Sequence, residues 1–193
     1  TTTTTSTTGS NSVLLHGGGQ EFGRRGGTEN VAYMVGMGRA AQLCLDRLDD
    51  TMRHTESLRS RLLEQLEQQL EGITTIRPNG PSDPSQRLPN TLSVGIKGIQ
   101  SGMLLGAIQD RVAASAGAAC HSSTTTSTTT TTTTATTTRV SSVLRAMNVP
   151  MEYAAGTLRL SVGPDTTMDE VDRAARIIST EVKRQLQNGQ QPP

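Results

Sequence analysis

Apolar residues return at helical spacing through the first half of the chain. Ala41, Leu45, Leu48 and Met52 stand at i, i+4, i+7 and i+11, and Leu58, Leu62, Leu66 and Leu70 continue the stripe. This predicts one long helix over 31–70, closed by Gly72. A short β-branched stretch, "ITTI" at 73–76, follows, and turn formers crowd 77–90, which reads as a loop. "TLSVGI" at 91–96 alternates, so Leu92, Val94 and Ile96 share one face of a half-buried strand. Met103, Leu104, Ala107 and Ile108 suit a short helix, and the small residues of 112–116 a strand. Residues 141–147 read as a helical turn. "TLRLSV" at 157–162 is a second alternating strand, with Leu158, Leu160 and Val162 on one side and Arg159 on the other. The last helix opens on Thr167-x-x-Glu170, a capping-box pattern, and turns Val171, Ala174, Ile178 and Val182 inward. These elements make an α+β layer with its sheet covered on one face.

Two tracts take no part in this pattern. Residues 1–12 and 124–138 are almost pure Thr and Ser and have no apolar positions to bury. The expected organisation is a low-complexity segment over 1–12, a glycine-rich loop over 13–30, and an α+β domain over 31–187. That domain carries a Thr-rich insertion at 124–138, and a disordered tail follows at 188–193. The formal net charge of +1 offers nothing to nucleic acid or to an anionic membrane surface. No apolar run approaches the roughly 20 residues of a membrane span. The Thr-rich start lacks the features of a secretory signal. With two cysteines, Cys44 and Cys120, the expectation is free thiols in a reducing compartment, cytoplasmic or else mitochondrial.

Three motifs compete for the chemistry. "HGGG" at 16–19 matches the oxyanion-hole motif of some lipases, and Ser115 in "AASAG" approaches a nucleophile elbow. The only histidine after that serine is His121, too close along the chain to fold back as its base. "GMGRAA" at 36–41 has the letters of a dinucleotide fingerprint. It lacks the preceding turn, and close helix packing explains Gly36 and Gly38 more simply. "SAGAACHSS" at 115–123 is stronger. Small residues deliver Cys120 to the end of a strand, just before a polar tract, whereas Cys44 sits among large apolar neighbours as a buried cysteine would. The bland alternative for Cys120 is a small residue at a strand end. His121 beside it favours a thiolate only if the two side chains meet, and neighbours in extended backbone point apart.

In order, "LLHGGGQEFGRRGGTEN", "QRLPNTLSV", "AASAGAACHSS", "SSVLRAMNVP" and "GTLRLSVGPDTTMDEVD" resemble the C-terminal half of the NifS-like cysteine desulfurases. These belong to the class V aminotransferase group, and "GAACHS" with "TLRLSVG" is most similar to its selenocysteine lyases. The resemblance implies the small C-terminal domain of a fold-type-I pyridoxal 5'-phosphate enzyme, with most of the large cofactor domain missing. It implies that Cys120 is the nucleophile that takes selenium or sulfur from the substrate, and that Arg159 grips the substrate α-carboxylate. It implies that Thr28 reaches the cofactor phosphate across a homodimer interface, with Arg25 adding charge and Gln20 near the cofactor. His16 would be structural, and Phe22 stands where relatives carry arginine. The implied reaction turns L-selenocysteine into L-alanine and enzyme-bound selenium, or L-cysteine into L-alanine and a persulfide, with an acceptor protein downstream. A non-catalytic small domain is the further alternative. The family's Schiff-base lysine precedes the "GGGQE" segment. The two lysines present, Lys97 and Lys183, lie in no matching motif and read as solvated.

Overall fold

The computed structural model describes residues 13–116 and 140–189. Both Thr tracts and the end of the polar tail lie outside the described residues, as do Cys120 and His121.

The chain divides into two compact units, Thr1–Arg47 and Leu48–Pro193. The first holds the glycine-rich loop, with a single turn α1 (Gln20–Gly23), and the start of helix α2 (Val31–Leu70). Asn30 caps α2, its Oδ1 accepting the Tyr33 N–H at 3.1 Å. At the other end Gly72 takes φ +70, and the N–H groups of Ile73 and Thr74 return to the Leu70 carbonyl. The helix ends where the sequence placed its stop.

The second unit is a three-stranded antiparallel sheet, order β1 (Ile76–Pro78), β2 (Thr91–Ile96), β3 (Thr157–Ser161), with helices on it. Leu92, Val94, Ile96, Leu158 and Leu160 project from one face, all 4% exposed or less. Against them pack Leu58, Leu62, Leu66 and Leu70 of α2, helix α3 (Ser101–Ile108), and helix α6 (Met168–Gly189). Arg61 joins α2 to α6, its Nε and Nη2 donating to the two carboxylate oxygens of Asp172 at 2.9 and 3.2 Å. The capping box forms as expected. Glu170 accepts from the Thr167 backbone N–H at 2.9 Å, and the Glu170 N–H donates to the Thr167 hydroxyl at 3.3 Å.

Several expectations need correction. Leu45, Leu48 and Met52 are 78%, 53% and 43% exposed, and Cys44 is an exposed free cysteine. A helix of 40 residues is about 60 Å long. Along it, buried residues begin only at Thr55. A Cβ at Gly36 or Gly38 would meet nothing within 4 Å among the described residues, so no close packing explains them here. The stretch 77–90 is not all loop, because Arg77 and Pro78 complete β1. Pro78 is tolerated at the end of an edge strand, where its missing N–H costs no ladder bond. Residues 112–116 form one bridge, Ser115 with Arg159, and no strand. In α6, Ala175 is fully buried and Ala174 only partly, and the helix continues through Asn188 and Gly189, where a tail was expected. The sheet's second face is also not bare. Helix α4 (Ser142–Ala146) and the turn α5 (Met151–Ala154) build a small cluster of Leu144, Val149 and Ala154. A Cβ at Gly95 would stand 2.8 Å from the Tyr153 carbonyl, which puts α5 against that face of β2.

Leu66→Ala, at a fully buried position, should lower the unfolding free energy by about 2–5 kcal/mol in denaturant melts. Acid should also weaken the fold. The Arg61 hydrogen bonds hold Asp172 below the ordinary carboxylate range, and the Thr167 N–H and hydroxyl do the same for Glu170. Because these folded-state values are depressed, the stabilisation is complete above the unfolded values of about 4 and is lost as pH falls through the folded ones. Thermal melts from pH 7 to pH 2 should decline from about pH 4 downward, and Asp172→Asn should remove part of that decline.

Candidate functional site

Residues 13–30 fold back on themselves. The Leu14 N–H donates to the Arg24 carbonyl at 2.7 Å and the Gly26 N–H to the Leu15 carbonyl at 2.9 Å. Where the two arms meet, a Cβ on Gly26 would lie 2.7 Å from the Gly17 Cα, and one on Gly17 would lie 2.8 Å from the Gly26 Cα. A Cβ on Gly18 would collide with the Gln20 carboxamide at 2.6 Å. Part of the glycine density is therefore set by the loop's approach to itself.

Gln20 and Arg25 come together in this loop through a backbone bridge. The Gln20 Oε1 is buried and has no partner among the described residues. Arg25 is fully engaged. Its Nε meets Glu21 at 2.9 Å, one Nη meets Glu29 at 3.3 Å, and the other donates to the Gly27 carbonyl at 2.9 Å. The hydrogen bond to Glu21, and then the charges of Glu21 and Glu29, raise its already high pKa. Two carboxylates thus balance this guanidinium, and its structural work is to brace the corner at Gly27. Thr28 follows that corner and is exposed.

The second cluster lies on the sheet. Alternation along β3 sends Leu158 and Leu160 to the core and leaves Arg159 on the opposite face, as expected, where it is exposed. Register then aligns residues far apart in sequence. Ser93 pairs with Arg159, Arg159 exchanges backbone hydrogen bonds with Ser115, and the Asn79 N–H donates to the Ser93 carbonyl at 2.8 Å. Asn79, Ser93, Arg159 and Ser115 form one row across the sheet.

Over this row lies a cavity of about 280 Å³. Its sheet side is polar, made by Asn79, Ser93, Thr157 and Arg159, and its other wall is Val143, Leu144 and Met147. Ala116 and Ser141 also line it, one and two residues outside the segment 117–139 that contains Cys120. Among the described residues no side chain pairs with the Arg159 guanidinium. An arginine beside an apolar wall suits a small carboxylate-bearing ligand, because its fork makes two parallel hydrogen bonds to one carboxylate.

Sequence reasoning missed Asn79, which sat inside a presumed loop. Its neighbour Gly80, at φ +100, marked a turn, but only the register of β1 on β2 carries Asn79 into the row. Lys97 behaves as a solvated lysine: its Nζ meets Glu152 at 2.9 Å, and that bond raises its pKa, so it stays an ammonium. Among the described residues there is no cluster of three metal-ligating side chains, and no helix is long and apolar enough to cross a membrane.

The family model of class-V aminotransferases matches residues 6–174. The chain belongs to that family. It is 33% identical over 172 residues to the cysteine desulfurase IscS of Clostridium botulinum, covering 89% of this chain and 39% of that protein. It is 35% identical over 178 residues to the cysteine desulfurase NifS of Azotobacter vinelandii, covering 91% and 39%. Among solved structures, a NifS-like protein superposes with a TM-score of 0.65 at 29% identity over 89% of this chain and 39% of its own. A NifS-like protein of Rickettsia africae does so with 0.60 at 25% identity, over 90% and 40%. The chain thus spans about 39% of the length of the curated relatives it matches. Both curated relatives are cysteine desulfurases by name, so the similarity favours that alternative over the selenocysteine lyase expected from "GAACHS" and "TLRLSVG".

Gly26→Ala should open the loop, since its Cβ would also stand 2.9 Å from the His16 carbonyl. Hydrogen exchange over 13–30 should accelerate in this variant, while exchange in the β2 and β3 amides stays as in the parent.

Proposed function

We propose that this chain is the small-domain portion of a pyridoxal-phosphate-dependent cysteine desulfurase, supplying the substrate-carboxylate arginine and the sulfur-accepting cysteine. The observation that carries this reading is the Arg159 cavity, which Ala116 and Ser141 line from either side of the Cys120 segment in the chain. The family likeness and the desulfurase relatives support it.

Arg159 holds the α-carboxylate of L-cysteine, and Val143, Leu144 and Met147 exclude water from the rest of the substrate. Pyridoxal phosphate, when bound, makes the substrate acidic at Cα by taking charge into its ring. The Cys120 thiolate forms an S–S bond to the substrate sulfur as the Cβ–S bond breaks. The electron pair passes to Cβ, which takes up a proton. Alanine leaves, Cys120 carries a persulfide, and an acceptor thiol or scaffold protein receives the sulfur.

The residues present fit only the phosphate end of the cofactor. Thr28 offers an exposed hydroxyl just past the corner that Arg25 braces, and Gln20 lies in the same loop. They do not fit the aldehyde end, since Lys97 is committed to Glu152 on the surface. The lysine and the ring contacts come from the remaining length of the enzyme, and Thr28 serves the cofactor of the other subunit in a homodimer.

In the full-length protein, Cys120→Ser should abolish persulfide formation while L-cysteine still binds. Arg159→Gln should raise KM for L-cysteine about a hundredfold, the scale of a lost bidentate ion pair. Persulfide labelling and steady-state kinetics read the two. Turnover of L-selenocysteine with negligible turnover of L-cysteine would restore the lyase reading. Unchanged sulfur transfer by Cys120→Ser would refute the role of that thiol.

A further inference from the structure

We propose that Asn79 is a positioning residue for Arg159. Its side-chain carbonyl accepts a hydrogen bond from the Arg159 guanidinium when a carboxylate occupies the cavity, and this fixes the plane of the fork. The inference rests on the reading of Arg159 as the substrate-carboxylate contact.

Asn79 is only 9% exposed. Its Nδ2 donates to the Ser93 hydroxyl at 3.2 Å and to the Thr157 hydroxyl at 3.3 Å. Its Oδ1 is buried and has no partner among the described residues. Turning the amide over does not cure this. The single Thr157 hydroxyl proton is directed at the Tyr153 carbonyl, 3.0 Å away, so toward Asn79 that oxygen can only accept. The NH₂ group must therefore face Thr157, and the carbonyl is the orphan. A buried carbonyl without a donor costs stability until one arrives.

The donor is at hand in the same cavity. A guanidinium carries five N–H donors and no acceptor, and Arg159 is the one charged group lining this cavity among the described residues. Asn79 and Arg159 flank Ser93 in the transverse row, about 10 Å apart at their backbones by two strand spacings. A long arginine and a short asparagine close such a gap across the intervening serine. A bound carboxylate takes the two N–H groups of one edge, leaving another edge for the Asn79 carbonyl. The Asn79 bond made on binding then holds the plane of the fork against the carboxylate.

The test is a double-mutant cycle in the full-length protein with Asn79→Leu, which keeps the branched shape and removes the carbonyl acceptor together with the NH₂ bonds to Ser93 and Thr157, Arg159→Gln, and the pair together. Two readouts are used: KM and kcat for L-cysteine in the cofactor-loaded enzyme, and L-alanine affinity by titration calorimetry of the cofactor-free protein. Asn79→Leu should raise KM and weaken L-alanine about tenfold, with kcat changed less than about twofold, and it should add nothing in the Arg159→Gln background. An unchanged KM and affinity, or an equal loss in both backgrounds, would overturn the inference and leave the role of Arg159 standing. If Arg159→Gln alone changed neither, the carboxylate reading itself would fall and this inference with it. Should Asn79→Leu not fold, Asn79→Ser, too short to reach the guanidinium, carries the same cycle.

Discussion

The structure depends on burial of one face of a three-stranded sheet. Leu92, Val94 and Ile96 of β2 and Leu158 and Leu160 of β3 meet Leu58, Leu62, Leu66 and Leu70 of α2, together with Val171, Ala175, Ile178 and Val182 of α6. Strand side chains alternate, so committing the leucines to this core commits Arg159 and Ser93 to the opposite face. A one-residue slip of β3 would bury a guanidinium and expose the leucines, at a cost no small domain tolerates. The register that makes the core therefore also makes the site.

The second face is governed by the first. Its polar row could have been a solvated surface, but α4 and α5 cover one end of it with Leu144, Val149 and Ala154. Gly95 permits this by letting the Tyr153 backbone sit directly on the strand. The result is a cavity with a polar sheet side and an apolar wall, an arrangement that small-molecule sites commonly use. Asn79 belongs to both worlds, since its NH₂ group stitches β2 to β3 while its carbonyl is left without a donor.

The glycine-rich loop has a different economy. Its backbone arms touch at Gly17 and Gly26, and Arg25 with Glu21 and Glu29 ties its end. These contacts are local, and they hold Thr28 just outside a closed corner. The chain belongs to the class-V aminotransferases, and the loop and the Arg159 cavity lie in different compact units.

Sequence by itself determined the periodic elements and their punctuation: the end of α2 at Gly72, the inward faces of β2 and β3, the Thr167–Glu170 cap, and the placement of Arg159 opposite the leucines of β3. Each follows from spacing along one segment, which local backbone geometry dictates. Tertiary structure decided what spacing cannot encode. It confined burial along α2 to residues from Thr55 on and left Cys44 and Leu45 exposed despite their place in the stripe. It paired Arg25 with Glu21 and Glu29, partners that no single stretch of sequence assigns to it. It also brought Asn79 beside Ser93 and Arg159, because strand register is set by the shared core and is invisible in any one strand.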